Sequence, residues 1–212
     1  MPTEITGDGV NRVQAGTVES ESIAPGVLNG LINIQTFASE GTFTYNKTPG
    51  TERILVYVTG AGGSGGSQGM GGGAGGTAIK LIDASSLSSV SVTVADRNEG
   101  PSGTGDGNDG GTSSFGTFCS ASGGEGGLNG SSTEFPAEGG IGSGGDLNLR
   151  GGIGGTHRGS GGGVSFWSAA QITNQDADTG YFGGGGGGGA DKIEAYGGSG
   201  GSVVVFEYGA NQ

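Results

Sequence analysis

The sequence predicts an all-β protein: a β-sandwich with inserted glycine-rich, polyglycine II-like layers, preceded by an extended N-terminal attachment segment. Three observations lead there. Short apolar segments such as "ILVYV" and "SVVVFEY" are rich in β-branched and aromatic residues, and no stretch keeps a helical period. Glycine supplies 56 of the 212 residues and gathers in four runs, 60–76, 123–130, 139–163 and 183–201, that alternate with those segments. The first 31 residues show neither pattern.

Taken in order, "INIQTF" and "GTFTYN" read as a short hairpin. In "ILVYV" (54–58) both faces are apolar, as in a central strand covered on both sides. "TAIKLID" is the next strand. "SVSVTV" puts Val90, Val92 and Val94 on one face and Ser89, Ser91 and Thr93 on the other, the signature of a half-buried strand. "SSFGTFCSAS" offers one more, and "SVVVFEY" (202–208) closes the set. In residues 1–31, Val13, Val18, Ile23 and Leu28 recur every five residues, which suits neither a helix nor a self-sufficient strand. The chain therefore divides into an attachment and oligomerisation segment, 1–31, and a glycine-rich β-sandwich domain, 32–212.

The glycine runs admit two readings. As flexible linkers they would stay unordered, because fixing each residue costs about 1–2 kcal/mol and glycine loses the most freedom. As structure they would form extended threefold helices rising about 3.1 Å per residue, whose N–H and C=O groups point outward. Without Cβ atoms such helices approach until those groups pair from one helix to the next. At that rise 60–76, if continuous, would span roughly 50 Å. Collagen is excluded, since no G-X-Y register persists and only five prolines occur.

Eight basic against twenty acidic residues give a net charge of −12, which argues against nucleic acid and anionic lipid as partners. The single cysteine, Cys119, excludes an intrachain disulfide, and with the lone His157 it makes too few ligands for zinc. "MPTEITGDGV" has no signal-peptide character and no apolar run approaches membrane-spanning length. A soluble product made in the cytoplasm, without membrane insertion, is expected. Gly60, Gly62 and Gly65 match G-x-G-x-x-G after a strand, but glycine continues where a phosphate-binding helix should start. Gly62, Ser64 and Gly66, and again Gly197, Ser199 and Gly201, match G-x-S-x-G, a pattern that arises by chance at this glycine content. Asp106, Asn108 and Asp109 in "GTGDGNDGG" read as a solvated turn rather than as a calcium loop. Glu125, Glu134, Glu138, Asp176 and Asp178 show no pairing suited to glycoside hydrolysis. A non-enzymatic protein without cofactor or metal is the expectation.

The succession "RILVYVTGAGG", "GGGAGGTAIKLIDASSLSSVSVTV", "GGTSSFG", "SASGGEGG", "GSGGDLNLRGG" and "GGSGGSVVVFEY", over about residues 36–208, resembles the glycine-rich domain of bacteriophage tail-fibre and related virion proteins. It departs at 95–111, where "ADRNEGPSGTGDGNDGG" inserts a charged, polar stretch. The resemblance implies a virion protein made in the host cytoplasm, similar in principle to the polyglycine II adhesin of T-even phage tail fibres. It implies a homotrimer, contacts with other tail or baseplate proteins through the N-terminal segment, and recognition of a host surface glycan or outer-membrane protein by loops. A glycine lattice offers few side chains, so recognition falls to insertions. The richest is 164–182, with Phe166, Trp167, Tyr181 and Phe182 as flat surfaces and Gln171, Asn174, Asp176 and Asp178 as hydrogen-bonding edges. Phe135, His157 and Arg158 are further candidates. A tail or capsid decoration protein without a receptor is the structural alternative, and a surface-glycan hydrolase the enzymatic one.

Overall fold

Alternation along the strands sets the layers. The computed structural model describes residues 30–130, 135–168, 182–184 and 196–209. Its strands are β1 (Leu31–Phe37), β2 (Gly41–Asn46), β3 (Arg53–Thr59), β4 (Thr77–Asp83), β5 (Ser89–Val94), β6 (Ser113–Phe115), β7 (Cys119–Ala121), β8 (Gly142–Ser143), β9 (Leu147–Leu149) and β10 (Ser202–Tyr208). They form two antiparallel sheets, ordered β1-β10-β3-β4-β9 and β2-β5-β6-β7-β8, and no helix occurs among the described residues. Ile54, Val56, Val58, Val203 and Val205 of the first sheet meet Tyr45, Val90, Val92, Phe115 and Cys119 of the second in one buried cluster. Burying each such side chain contributes about 1.5–3 kcal/mol, so the two inner faces hold the sandwich together.

Several expectations need correction. The segments at 32–37 and 41–46 are not a hairpin: β1 pairs with β10 and β2 with β5. Residues 38–40 carry the chain from one sheet to the other, and Phe37 and Phe43 meet with ring centroids 5.8 Å apart. Both aromatic residues reach the shared core this way. "SSFGTFCSAS" makes two strands, β6 and β7, around a turn with Gly116 at φ 51. The run at 139–163 hides β8 and β9, one in each sheet, so the chain steps across the edge of the sandwich there. The central strand is not equally covered on its two sides, because Leu55 and Tyr57 on its outer face are only half-buried.

The glycine-rich segments are ordered rods that continue the strands. From Gly60 onward, the amides of Gly60, Gly63 and Gly66 donate to the carbonyls of Gly76, Gly73 and Met70. Those of Ala61, Ser64 and Ser67 donate to Gly111, Asn108 and Gly105, and those of Gly62 and Gly65 to Ser199 and Tyr196. Every third residue thus addresses the same neighbour, whose acceptors recede three residues at a time. That is the bonding pattern of a polyglycine II lattice. The next rods repeat it: Met70, Gly73 and Gly76 donate to Leu128, Glu125 and Ser122, while Gly152 and Gly155 donate to Val164 and Gly161. The run 60–76 is therefore not one 50 Å rod. It folds back at Ser67–Gly69, where Gln68 adopts φ 49, and makes two antiparallel rods of about 20 Å.

The charged stretch at 95–111 is also part of this lattice. Asn108 donates its amide to the Ser64 hydroxyl at 2.7 Å, Asp109 Oδ1 accepts from Gly126 N at 2.8 Å, and Asp106 Oδ1 accepts from Asn129 N at 2.7 Å. The carboxylates cap amides at places where the rods run out of carbonyl partners. Glycine is demanded by proximity. A Cβ on Gly60, Gly63 or Gly66 would lie 2.2, 2.1 or 2.3 Å from the carbonyl oxygen of Ser122, Glu125 or Leu128.

At the opposite end of the sandwich a carboxylate is buried. Glu207 is fully enclosed and accepts hydrogen bonds from Tyr45 Oη at 2.5 Å, Thr48 Oγ1 at 2.6 Å, Thr48 N at 3.0 Å and Gln35 Nε2 at 3.3 Å. Burial pushes its carboxyl up, but the bonds from Thr48, Tyr45 and Gln35 together outweigh burial and hold it below its ordinary value. The network ties β10 to both β1 and β2, and hence one sheet to the other.

Four outcomes are expected. A folded-state value below the unfolded one means that the contribution of Glu207 is complete above the unfolded pKa and fades as pH falls through the folded one. Urea melts at stepped pH should therefore show stability dropping below about pH 5. Glu207→Gln should flatten that acid limb and lower stability at neutral pH by about 1–3 kcal/mol. In the lattice, Gly63→Ala should destabilise by about 3 kcal/mol or more, since backbone must move to admit the methyl group. Gly103→Ala, with nothing within 4 Å, should shift the same melts by no more than about 0.5 kcal/mol.

Candidate functional site

Every rod leaves or enters the sandwich at the same end. The registers place Thr59, Thr77, Ser202 and Leu149 beside one another there, and the rods that follow β3 and β9 or precede β4 and β10 start from that line. The turns around Gly69, Gly105 and Gly159 therefore gather at the far end of the lattice. Gly159 N donates to Gly69 O at 2.9 Å, Gly105 N to Ser67 Oγ at 2.7 Å, and Ser67 Oγ to Asn129 Oδ1 at 3.3 Å. Met70 is fully buried beneath them and fills the space where the rods turn.

The site residues read from the sequence fall into two groups. Phe135, His157 and Arg158 belong to this far tip and are all exposed, Phe135 at 87%. The His157 ring lies 3.2 Å from Thr156 Oγ1, and its carbonyl accepts from Ser160 N, which closes the turn. Phe166, Trp167 and Phe182 lie at the lattice base instead. Tyr57, on the outer face of the first sheet, stacks on Phe166 at 5.9 Å and meets Trp167 edge-on at 5.4 Å and Phe206 at 5.6 Å. Phe166 and Trp167 are perpendicular at 4.9 Å. The Ser165 hydroxyl bonds to the carbonyl of Phe182 and joins the two limbs of the insertion. Gln171, Asn174, Asp176, Asp178 and Tyr181 lie outside the described residues. The lattice thus separates the two aromatic regions by its own length, about 20 Å, rather than merging them in one tip.

The base cluster is a propped aromatic platform: three rings support one another from the sheet upward, and Phe166 and Trp167 keep half or about a third of their surface open. Such a surface stacks on apolar faces of sugars or on apolar side chains. Tyr57 and Phe206 were missed as members of it because in sequence they read only as strand residues. Their register, Leu55 opposite Phe206 and Tyr57 opposite Val204, brings them to the outer face.

Other chemistry is absorbed by the fold. The amides of Gly60, Gly62 and Gly65 are bonded to Gly76, Ser199 and Tyr196, so none is directed at a phosphate. Ser64 is fully buried and its hydroxyl accepts from Asn108 N. Burial pushes the Cys119 thiol up to about 11, which keeps it protonated. One carboxyl pair went unseen in the sequence: a hydrogen bond to Asp96, and then the charge of Asp96, raise the Glu40 carboxyl above its usual value.

The fold is thus an all-β sandwich continued by a hydrogen-bonded glycine lattice with turns at its far end. The family model of the glycine-rich domain matches residues 37–210, and the chain belongs to that family. No curated protein matches the chain.

Trp167 is the single tryptophan, so its emission reports on the platform. Tyr57→Ala should shift that emission to longer wavelength and raise acrylamide quenching about twofold or more, with the lattice intact by circular dichroism.

Proposed function

We propose that this protein is a non-enzymatic adhesin of the bacteriophage tail-fibre type, which projects from the virion and contacts the host cell surface through loops. The observation that supports it most is the separation of labour along the molecule. One end holds the sandwich, while the other holds exposed turns carried by a rod lattice almost devoid of side chains. Such a lattice gives a rigid stand-off, and residues beyond its ends change without disturbing it. Attachment to other tail or baseplate proteins, with assembly as a homotrimer, falls to residues 1–31. The receptor is a host surface glycan or an outer-membrane protein. Phe135, His157 and Arg158 meet it at the tip, and Phe166, Trp167 and Phe182 form a second contact nearer the sandwich; Gln171, Asn174, Asp176, Asp178 and Tyr181, which lie outside the described residues, add hydrogen-bonding groups to the recognition in this reading.

The decoration-protein reading shares the rod and lacks the receptor, so one assay separates the two. Particles carrying the triple change Phe135→Ala, His157→Ala and Arg158→Ala should assemble normally and lose adsorption to host cells by about tenfold or more. Trp167→Ala tests the second contact in the same assay. Normal adsorption with both variants assigns the protein to decoration. Release of reducing ends from host polysaccharide by the purified protein would instead make it a hydrolase.

A further inference from the structure

The two outer faces of the sandwich are dressed for different surroundings. On the second sheet alternation brings Thr42, Thr44, Ser89, Ser91, Thr93 and Ser114 outward, a hydroxyl surface suited to water. On the first sheet the registers align Ile34 with Phe206, Phe206 with Leu55, and Leu55 with Leu81. This apolar row crosses four strands without a polar residue. Phe166 and Trp167 cover part of the neighbouring row at Tyr57, but Ile34 stays 46% and Leu81 52% exposed. An exposed apolar row of this length marks a contact surface.

Size and connection identify the cover. The four seven-residue strands, at about 4.8 Å spacing and about 3.3 Å rise per residue, give a face on the order of 400 Å². A freely associating partner needs about 800 Å² on each side, so this face is too small to hold one alone. A tethered segment has no such threshold, because association within one chain avoids the loss of translational and rotational freedom. The 29 residues that precede Gly30 join the fold at this sheet's edge, where Gly30 O accepts from Gly209 N beside Leu31. Their apolar residues Val13, Val18, Ile23 and Leu28 recur every five residues among polar ones. Residues 13–28 extended reach about 50 Å, more than twice the width of the sheet.

We propose that residues 13–28 lie across the outer face of the first sheet of their own chain and cover the row Ile34–Phe206–Leu55–Leu81. Residues 1–12 then carry the attachment and trimer contacts that the proposed function assigns to the N-terminal segment. The test puts a photo-reactive side chain at the centre of the row, Leu81→p-benzoylphenylalanine, in the full chain, and maps the product after irradiation. The expected product is a link within one chain to a residue among 13–28. A link between two chains would give the face to a second copy, and a product without a link to 13–28 would equally overturn the assignment. A second measurement follows cleavage after Glu19 and Glu21 by a glutamyl endopeptidase. Leu81→Glu should accelerate it about tenfold, and Ser91→Glu on the hydroxyl face should leave it unchanged. Equal rates in the two variants and the parent chain would overturn the proposal.

Discussion

The molecule depends on how closely two main chains can approach. Beside Gly60, Gly63, Gly73 and Gly124, the space a Cβ would need is filled by a carbonyl oxygen about 2.1–2.2 Å away. At that distance the backbone of one rod is the packing surface of the next, and most of its amides donate to carbonyls of neighbouring rods. Each such bond contributes only about 1 kcal/mol net. A rod makes one along nearly every residue, however, and the donors turn through three directions in succession. A segment so held resists bending in every direction. The entropy of ordering glycine, the largest of any residue, is offset by density of bonding rather than by burial of apolar surface.

How much of this was legible in the sequence follows from the same geometry. The strands with clear alternation were readable: β5 from Val90, Val92 and Val94, and β10 from its β-branched run. Pairing was not, because β1 and β2 look like a hairpin until Phe37 and Phe43 are seen to face one core from two sheets. The lattice was readable as a possibility, since glycine runs alternate with strands. Its register was partly present too. From Gly60 the chain reads Gly-Ala-Gly, Gly-Ser-Gly, Gly-Ser-Gln, a triplet pattern in which Ala61, Ser64 and Ser67 share one face. That face lies toward 105–111, where the hydroxyls of Ser64 and Ser67 meet the amides of Asn108 and Gly105.

The polar stretch at 95–111 shows where composition misleads. Aspartate and asparagine among glycines suggest a solvated loop, and in most proteins they signal turns. Here Asp106, Asn108 and Asp109 alternate with Gly105, Gly107 and Gly110, and the lattice uses both kinds of residue. Glycine supplies close approach, with a Cβ on Gly107 placed 2.1 Å from Ser64 O. The carboxylates and amide point aside and bond to main chain that would otherwise go unpaired. The clustering of Phe135, His157 and Arg158 apart from Phe166 and Trp167 was equally hidden. Position along the sequence does not reveal which end of a rod a residue occupies; that depends on how many times the chain reverses.

Those reversals explain why one chain tolerates such different chemistry at its two ends. Within a rod almost every position is constrained by a neighbour's carbonyl, and any added atom moves several rods at once. Beyond the last paired amide the constraint stops abruptly. Gly103 and Gly130, in the outer turns, have no atom near a prospective Cβ, while Gly66 and Gly127, a few residues inward, have backbone within 2.3 Å. Side chains find open space outside that boundary, save where a turn glycine such as Gly130 holds φ 83, and almost none fit inside it. A surface that must match a varied ligand therefore belongs on the turns, and the part that fixes their spacing belongs in the rods. The sandwich supplies what a lattice of bare main chain lacks, a core of apolar side chains that nucleates the strands and aligns the rods growing from their ends.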